Sequence, residues 1–376
     1  MVIVDNYFIY VKIMNKKQVC LICKKIYRRN IMKKLLAMIL ALCMVFALCA
    51  VTASADDDAD SYYVDIKYSN VFQPTEWNYK AAEKFAAMVT ERTEGHINVT
   101  YYGQNELDCY ADSVTQAANG AKWIGLEEPS LFGDYVPNCM VLVGPMLYTT
   151  NEEYNYVMDS DIVKGIKDDL AAENIHILDT QYSFGFRSVC TNRDNVTTPE
   201  DLKGAKLRST TAPLFIQTIE ALGATAVPMS FTECLSAISS GVCEGFEGSV
   251  STFVGAGAPY ELVKRVALTN HFIATRWLFM PEDLYQEIPA KWRDILDECA
   301  HECGEWEQTM CQDEENQKIQ EMVDNFGVIY NDVDVAAFTE ACAPVYDWIV
   351  EEYGADPELH GQLVDLLNDF RAGQAA

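Results

Sequence analysis

The chemistry open to this chain begins with two arginines. Arg208 closes a short β-prone run, Lys206–Ser209, and Arg187 stands earlier, in YSFGFRSVCTN. A guanidinium is planar, stays ionised when desolvated and can give two parallel N–H bonds to a carboxylate. The same residue at a strand end equally serves a surface or structural ion pair, and residue type alone leaves both uses open. Carboxylates number 56, so acid/base pairs can be drawn almost anywhere on a solvated surface and carry little weight. The five histidines (96, 176, 271, 301, 360) are scattered, with no H-E-x-x-H, no nucleophile elbow and no phosphate loop. Cys299 and Cys303 stand four apart on a helical stretch with His301 between them. No C-x-x-C accompanies them and His301 projects from another face, so neither a metal site nor a cofactor is expected.

Such side chains need strand ends to hold them. Thr198-Pro199-Glu200-Asp201 supplies a hydroxyl cap, a proline at the first helical position and acids in the first turn, and Gly204 ends that short helix. Lys206–Ser209 then reads as a strand, 213–222 as a helix with Leu214, Phe215, Ile219 and Leu222 on one face, and 224–229 as extended. Ser230-Phe231-Thr232-Glu233 is a capping box that opens a helix closed by Gly241, and 242–247 reads as a third parallel strand. Right-handed crossovers place parallel strand ends on one edge, so Arg208 and Glu247 are expected to face one crevice, where α/β sheets bind ligands.

The first half repeats this grammar. Residues 62–68 alternate as a strand, a helix follows from about Trp77 with Thr75 as its cap, and 96–102 is β-branched and aromatic. Residues 111–120 read as helix and 123–126 as strand, giving the β-α-β-α-β order of an α/β domain on a mainly parallel sheet. Residues 291–326 lack proline and carry Trp292, Ile295, Leu296, Cys299, Cys303, Trp306 and Met310 at helical spacing, so one or two long helices are expected.

With 376 residues, 49% of them hydrophobic, the chain is long enough for about two domains. It carries 28 Lys+Arg against 56 Asp+Glu, a net of -28, which excludes nucleic acid or an anionic membrane surface as the main partner. Nine of the basic residues and a single acid fall in residues 1–55; what remains has 19 cations, 55 anions and a net of -36. Within that segment Lys33-Lys34 precedes the apolar run LLAMILALCMVFALCAV, which ends at Ala53-Ser54-Ala55. Positive region, apolar core and A-x-A exit are the pattern of a secretory signal peptide, here 32–55, with an uncleaved anchor as the alternative. Residues 1–31 read as a surplus ahead of Met32. An exported chain would be expected to pair its cysteines, yet residues 56–376 hold nine, at 109, 139, 190, 234, 243, 299, 303, 311 and 342. The odd number and irregular spacing suit small buried hydrophobes better than a disulfide framework.

The segment TPEDLKGAKLRSTTAPLFIQTIEALGATAVPMSFTECLSAISSGVCEGFEG, residues 198–248, resembles the solute-binding subunit of tripartite ATP-independent periplasmic (TRAP) transporters. That family shows P-x-D-L-K-G-x-K-[IL]-R, a helix, L-G-A-x-x-[VT]-P-[ML]-x-[FW]-x-E, then G-x-x-[DE]-G-x-E. Pro199, Asp201, Leu202, Lys203, Gly204, Lys206, Leu207 and Arg208 meet the first stretch; Leu222-Gly223-Ala224, Pro228-Met229, Phe231 and Glu233 meet the second. The resemblance covers nearly all of the chain after the leader, including YKAAEKFA at 79–86 and TNHF at 269–272. It implies a two-domain periplasmic-binding-protein-like α/β fold with a cleft between domains and a long helix spanning them. It also implies a function: capture of a small organic anion and delivery to a TRAP membrane permease driven by an ion gradient.

By the same resemblance Arg208 holds the ligand carboxylate and Arg187 is a second ligand-directed arginine, with a salt bridge near the hinge as its alternative. Glu128 matches a position where some members keep a polar cleft residue. Phe231 opens the cleft-facing helix and packs on the ligand or in the core, Trp77 belongs to the loop after the first strand, and Glu247 binds or pairs with an arginine of the cleft wall. One departure is plain: where many members follow G-x-E with Asn, this chain has Gly248. The competing classes are a receptor for an ABC importer or a sensor, and an exported hydrolase, for which no residue set stands out. A monomer is expected, with domain I at 62–184 plus about 274–312 and domain II at 185–273 plus about 313–370. The solute would bridge Arg208 on one and groups near Trp77 and Glu128 on the other.

Overall fold

A computed structural model describes residues 59–107, 112–255 and 259–374. The expected leader 32–55, the surplus 1–31 and Cys109 lie outside these. The chain divides into Met1–Ser61 and Tyr62–Ala376, and the second unit carries the sheet. Among the described residues no helix is long and apolar enough to cross a membrane.

Nine strands form one mixed α/β sheet: β1 (Val64–Ser69), β2 (Ile97–Tyr102), β3 (Trp123–Glu127), β4 (Ile175–Thr191), β5 (Lys206–Ser209), β6 (Thr225–Pro228), β7 (Gly245–Ser249), β8 (Arg265–Pro281) and β9 (Ile329–Asn331). Their order is β2-β1-β3-β8-β4-β7-β5-β6, with β9 paired to β8. The first three are parallel to one another, as are β5, β6 and β7. Between these parallel groups run β4 and β8, each of 17 residues and antiparallel. Their ladder shifts register between Ser183 and Phe186 and again between Arg187 and Val189. Bulges of this kind bend a strand and re-aim its side chains, and here they fall where the two parallel groups meet.

Local chemistry explains most elements. Helix α1 (Trp77–Arg92) buries Ala81, Ala82, Phe85, Ala86 and Val89 on one stripe, as helical periodicity requires. Its N-cap is Glu76, not Thr75, and the Glu76 carboxylate instead accepts from the Gln73 backbone at 2.8 Å. The capping box read from sequence is present, Glu233 accepting from the Ser230 backbone ahead of helix α2 (Phe231–Ser239), and the Thr198 cap also proves to be a box, with Asp201 accepting from the Thr198 backbone. The proline-free tract is one helix, α3 (Ala290–Phe326), of 37 residues, about 55 Å long at 1.5 Å per residue. Near its start Trp292 stacks on His96 with ring centroids 4.4 Å apart; at its end Phe326 meets Tyr260, also at 4.4 Å. The helix therefore ties the residues ahead of β2 to those after β7. The terminal helix α4 (Leu359–Gln374) turns back to the first half, where Arg371 pairs with Glu153 and Phe370 packs on Tyr156. All eight described cysteines are buried free thiols.

Candidate functional site

Arg208 is next to last in β5, near its carboxyl edge, and is 3% exposed. Its Nε and Nη2 both donate to the Met229 carbonyl, at 3.0 and 2.8 Å, and the guanidinium lies 5.1 Å above the Phe231 ring. Phe231 is positioned because the capping box starts α2 at that residue; its ring in turn meets the edge of Phe246 at 5.4 Å. A carbonyl and an aromatic face orient the guanidinium.

Arg187 is fixed differently. Its Nε and Nη2 reach the two carboxylate oxygens of Glu247 at 2.5 and 2.6 Å, and its guanidinium lies 5.1 Å over Phe215. Glu247 is fully buried. Burial alone would raise its pKa, but the Arg187 guanidinium overcomes that and holds the carboxyl well below the usual range. His271 Nε2 stands 3.7 Å from Glu247, beyond a hydrogen bond, so the arginine carries the pairing. His271 is itself buried, which lowers its pKa, and its Nδ1 shares a 2.8 Å hydrogen bond with the Thr269 hydroxyl. The expectation that Arg208 and Glu247 face one crevice needs correction. They share the carboxyl edge, but Arg208 pairs in register with Phe246, so strand alternation turns Glu247 to the opposite face. At the departure from the family pattern, a Cβ on Gly248 would sit 3.1 Å from the Phe246 ring.

In the first half, Glu128 follows β3 and caps a 3-10 turn through the Ser130 backbone N–H at 3.1 Å and the Ser130 hydroxyl. Burial pushes its carboxyl up, against those bonds and the charges of Arg276 and Arg187. Glu128 thus lies within the field of an arginine from the other end of β4. Trp77 is the first residue of α1 rather than part of a loop, and its indole N–H donates to Glu314 of α3 at 2.7 Å. It lines a groove of about 530 Å³ bounded also by Phe184, Val250, Tyr260, Glu315 and Met322.

Sequence reasoning passed over Arg276. Its guanidinium lies 5.2 Å over Phe184 and 5.6 Å over Phe72, and its charge acts on Glu76, Glu127, Glu128 and Glu307. The available signal was a lone arginine inside the apolar strand HFIATRWLFM, which burial makes too costly to place without partners.

Two parallel-strand groups joined by crossing strands and a long helix, with buried arginines on β4 and β5, have the architecture of a solute-binding protein of the periplasmic type. The chain belongs to the family described as bacterial extracellular solute-binding protein, family 7, whose sequence model matches residues 68–353. It is accordingly an exported, TRAP-type receptor whose partners are a small solute and the membrane permease. A solute-binding protein of Chromohalobacter salexigens is 29% identical over 334 residues, 89% of this chain and 96% of that protein. A TRAP periplasmic solute-binding protein from Desulfovibrio salexigens, solved in complex with diglycerolphosphate, superposes with a TM-score of 0.80 at 33% identity, covering 84% of this chain and 99% of that one. Another from Chromohalobacter salexigens, with bound D-glucuronate, gives 0.74 at 28% identity, covering 81% and 99%. Both solved relatives are TRAP proteins, which favours that system over the ABC alternative.

Proposed function

We propose that this receptor captures a small organic anion through Arg208 and releases it chemically unchanged to the permease. The observation that carries the reading is the Arg208 guanidinium itself: buried near a parallel-strand end and oriented by Met229 and Phe231, a group that stays ionised when desolvated. A carboxylate placed there gains two charge-assisted bonds. The diglycerolphosphate and D-glucuronate held by the solved relatives are anions too, which supports the same class of solute. Arg187, on the other sheet face with Glu247, fixes β7 against β4 beside the site; Glu128 stands in the first half, Phe231 offers an apolar face, and Trp77 ties the rim to α3. The lobes of this proposal run over 62–184 with about 274–312 and over 185–273 with the residues after 312, the terminal helix returning to the first lobe. Closure is favoured only by contacts made across both lobes, since a ligand held equally in both states shifts nothing. The receptor works as a monomer.

A thermal-shift panel of organic acids on the pure protein, followed by recovery of the bound solute, tests this. The expected result is one molecule bound per chain and recovered intact. Turnover of the solute, or a panel in which only cations bind, contradicts it.

A further inference from the structure

A cavity lies along the first half of β4, away from Arg208 and Arg187. Among the described residues Ile175–Ser183 pairs only with β8, because β7 meets β4 from Arg187 onward. Beside that half strand, between the helix Asp161–Ala172 and α3, is a space of about 350 Å³ whose ionisable lining is Asp159, Lys167, His176, Asp179, Asp297 and His301. Its size is at the low end for small-molecule sites, about 300–1,000 Å³. Among the described residues no group of three ligands suits a metal ion, which leaves an organic occupant. Several of the lining groups are already bonded. Asp179, 6% exposed, accepts from the Gln181 backbone at 2.7 Å and meets His301 Nδ1 at 3.3 Å, and His176 Nδ1 is 2.7 Å from Glu282. One oxygen of Asp297 accepts from the Tyr285 hydroxyl at 2.7 Å, whereas its buried Oδ1 has no partner among the described residues. Lys167 feels the charges of Asp179 and Asp159 but is hydrogen-bonded by neither. The charges of Lys167 and Asp297 both reach His176, so these two unmatched groups share one neighbourhood. Burial lowers the Lys167 ammonium and raises the Asp297 carboxyl, a cost that a bonded counter-charge removes. A buried carboxylate oxygen left unbonded calls for a donor, and an unbonded ammonium calls for an acceptor.

We infer that this cavity is a second binding site, separate from the Arg208 cleft, and that it takes a small α-amino acid as the zwitterion, ammonium to Asp297 and carboxylate to Lys167. A simple amine brings no acceptor for Lys167, and a simple carboxylate enters beside three carboxyl groups. The zwitterion supplies both missing partners and adds no net charge. All six ionisable lining residues fall within 62–184 and 274–312, the first lobe as proposed above. An occupant is therefore held equally whether the lobes are open or closed, and it leaves the affinity of the cleft unchanged. It still stabilises the folded chain by mass action.

The test is isothermal titration of L-alanine into wild type, Arg208→Ala, Lys167→Gln and Asp297→Asn, each first shown to unfold cooperatively. Ethylamine and propionate, which are alanine without its carboxylate and without its ammonium, serve as controls on the Arg208→Ala protein, where the cleft no longer competes. Wild type and Arg208→Ala are expected to bind L-alanine alike, and both controls to bind at least about tenfold more weakly. Lys167→Gln and Asp297→Asn are each expected to lose about tenfold or more for L-alanine; should one fail to fold, the other decides. L-alanine binding that disappears in Arg208→Ala places the amino acid in the cleft and overturns the inference, leaving the Arg208 reading intact. Ethylamine or propionate binding as tightly as L-alanine overturns it too, as does unchanged binding in the Lys167 and Asp297 variants or no binding of L-alanine to wild type.

Discussion

Glu247 shows how strongly single ionisable groups weigh in this protein. Its carboxylate is fully buried and bonded at both oxygens by Arg187. Glu247→Gln strands the Arg187 charge, and breaking a buried pair in this way costs about 3–5 kcal/mol; urea denaturation at pH 7 should show a midpoint lowered accordingly. Because the folded pKa of Glu247 is depressed, its contribution is present above the ordinary carboxyl value and is lost as pH falls below it. Glu127 and Glu307 act in the other direction. Their folded pKa values stand at about 8 against an ordinary value of 4.5, so the folded state binds more protons across that window and stability falls as pH rises through it. Denaturation midpoints should therefore peak at mildly acidic pH, and Glu307→Gln should flatten the alkaline decline; an unchanged decline would remove Glu307 from the account. Arg208 and its aromatic neighbour Phe231 were legible as residues because a short ordered motif carried them. Arg276 was not, since its partners come from four separate stretches of chain that no local pattern connects.

Among the elements, β7 depends on a close backbone approach. A Cβ on Gly245 would lie 2.1 Å from the Cys190 carbonyl of β4, and backbone cannot yield as a side chain can. Gly245→Ala should push β7 off β4, draw Glu247 away from Arg187 and destabilise the fold by roughly 1–3 kcal/mol or more. Gly241→Ala is the comparison: its φ of 76° makes alanine strained, but nothing lies within 4 Å of the new methyl, so the cost is only the left-handed strain of about 1–2 kcal/mol. Equal losses in thermal unfolding for the two variants would contradict the contact argument. Helix starts, glycine stops and short parallel strands were readable in sequence because caps and periodicity are local; Thr198 with Asp201 and Ser230 with Glu233 bond as their spacing suggests. The two 17-residue strands were not, because DTQYSFGFRS mixes polar, aromatic and glycine residues and owes its extended form to pairing with a partner far along the chain.

At the scale of the whole molecule, charge and binding pull in opposite directions. Residues 56–376 carry a net of -36, which repels an anion at long range, while screening in about 0.15 M salt reaches only roughly 8 Å. On the proposal that the buried arginines hold the solute, the surface charge acts only on arrival, so the association rate measured by stopped-flow tryptophan fluorescence should rise with added salt. A rate that falls with salt points instead to a cationic solute. Trp77 is a suitable reporter, since it joins α1 to the long helix through Glu314. The central claim is that one buried guanidinium, Arg208, holds the solute's anionic group. Its most direct test is calorimetric titration of wild type and Arg208→Ala with the solute that gives the largest thermal shift, the two proteins first matched for cooperative unfolding. A folded variant that has lost about a hundredfold or more in affinity, roughly 3 kcal/mol, is the expected result; a folded variant that binds normally contradicts the assignment.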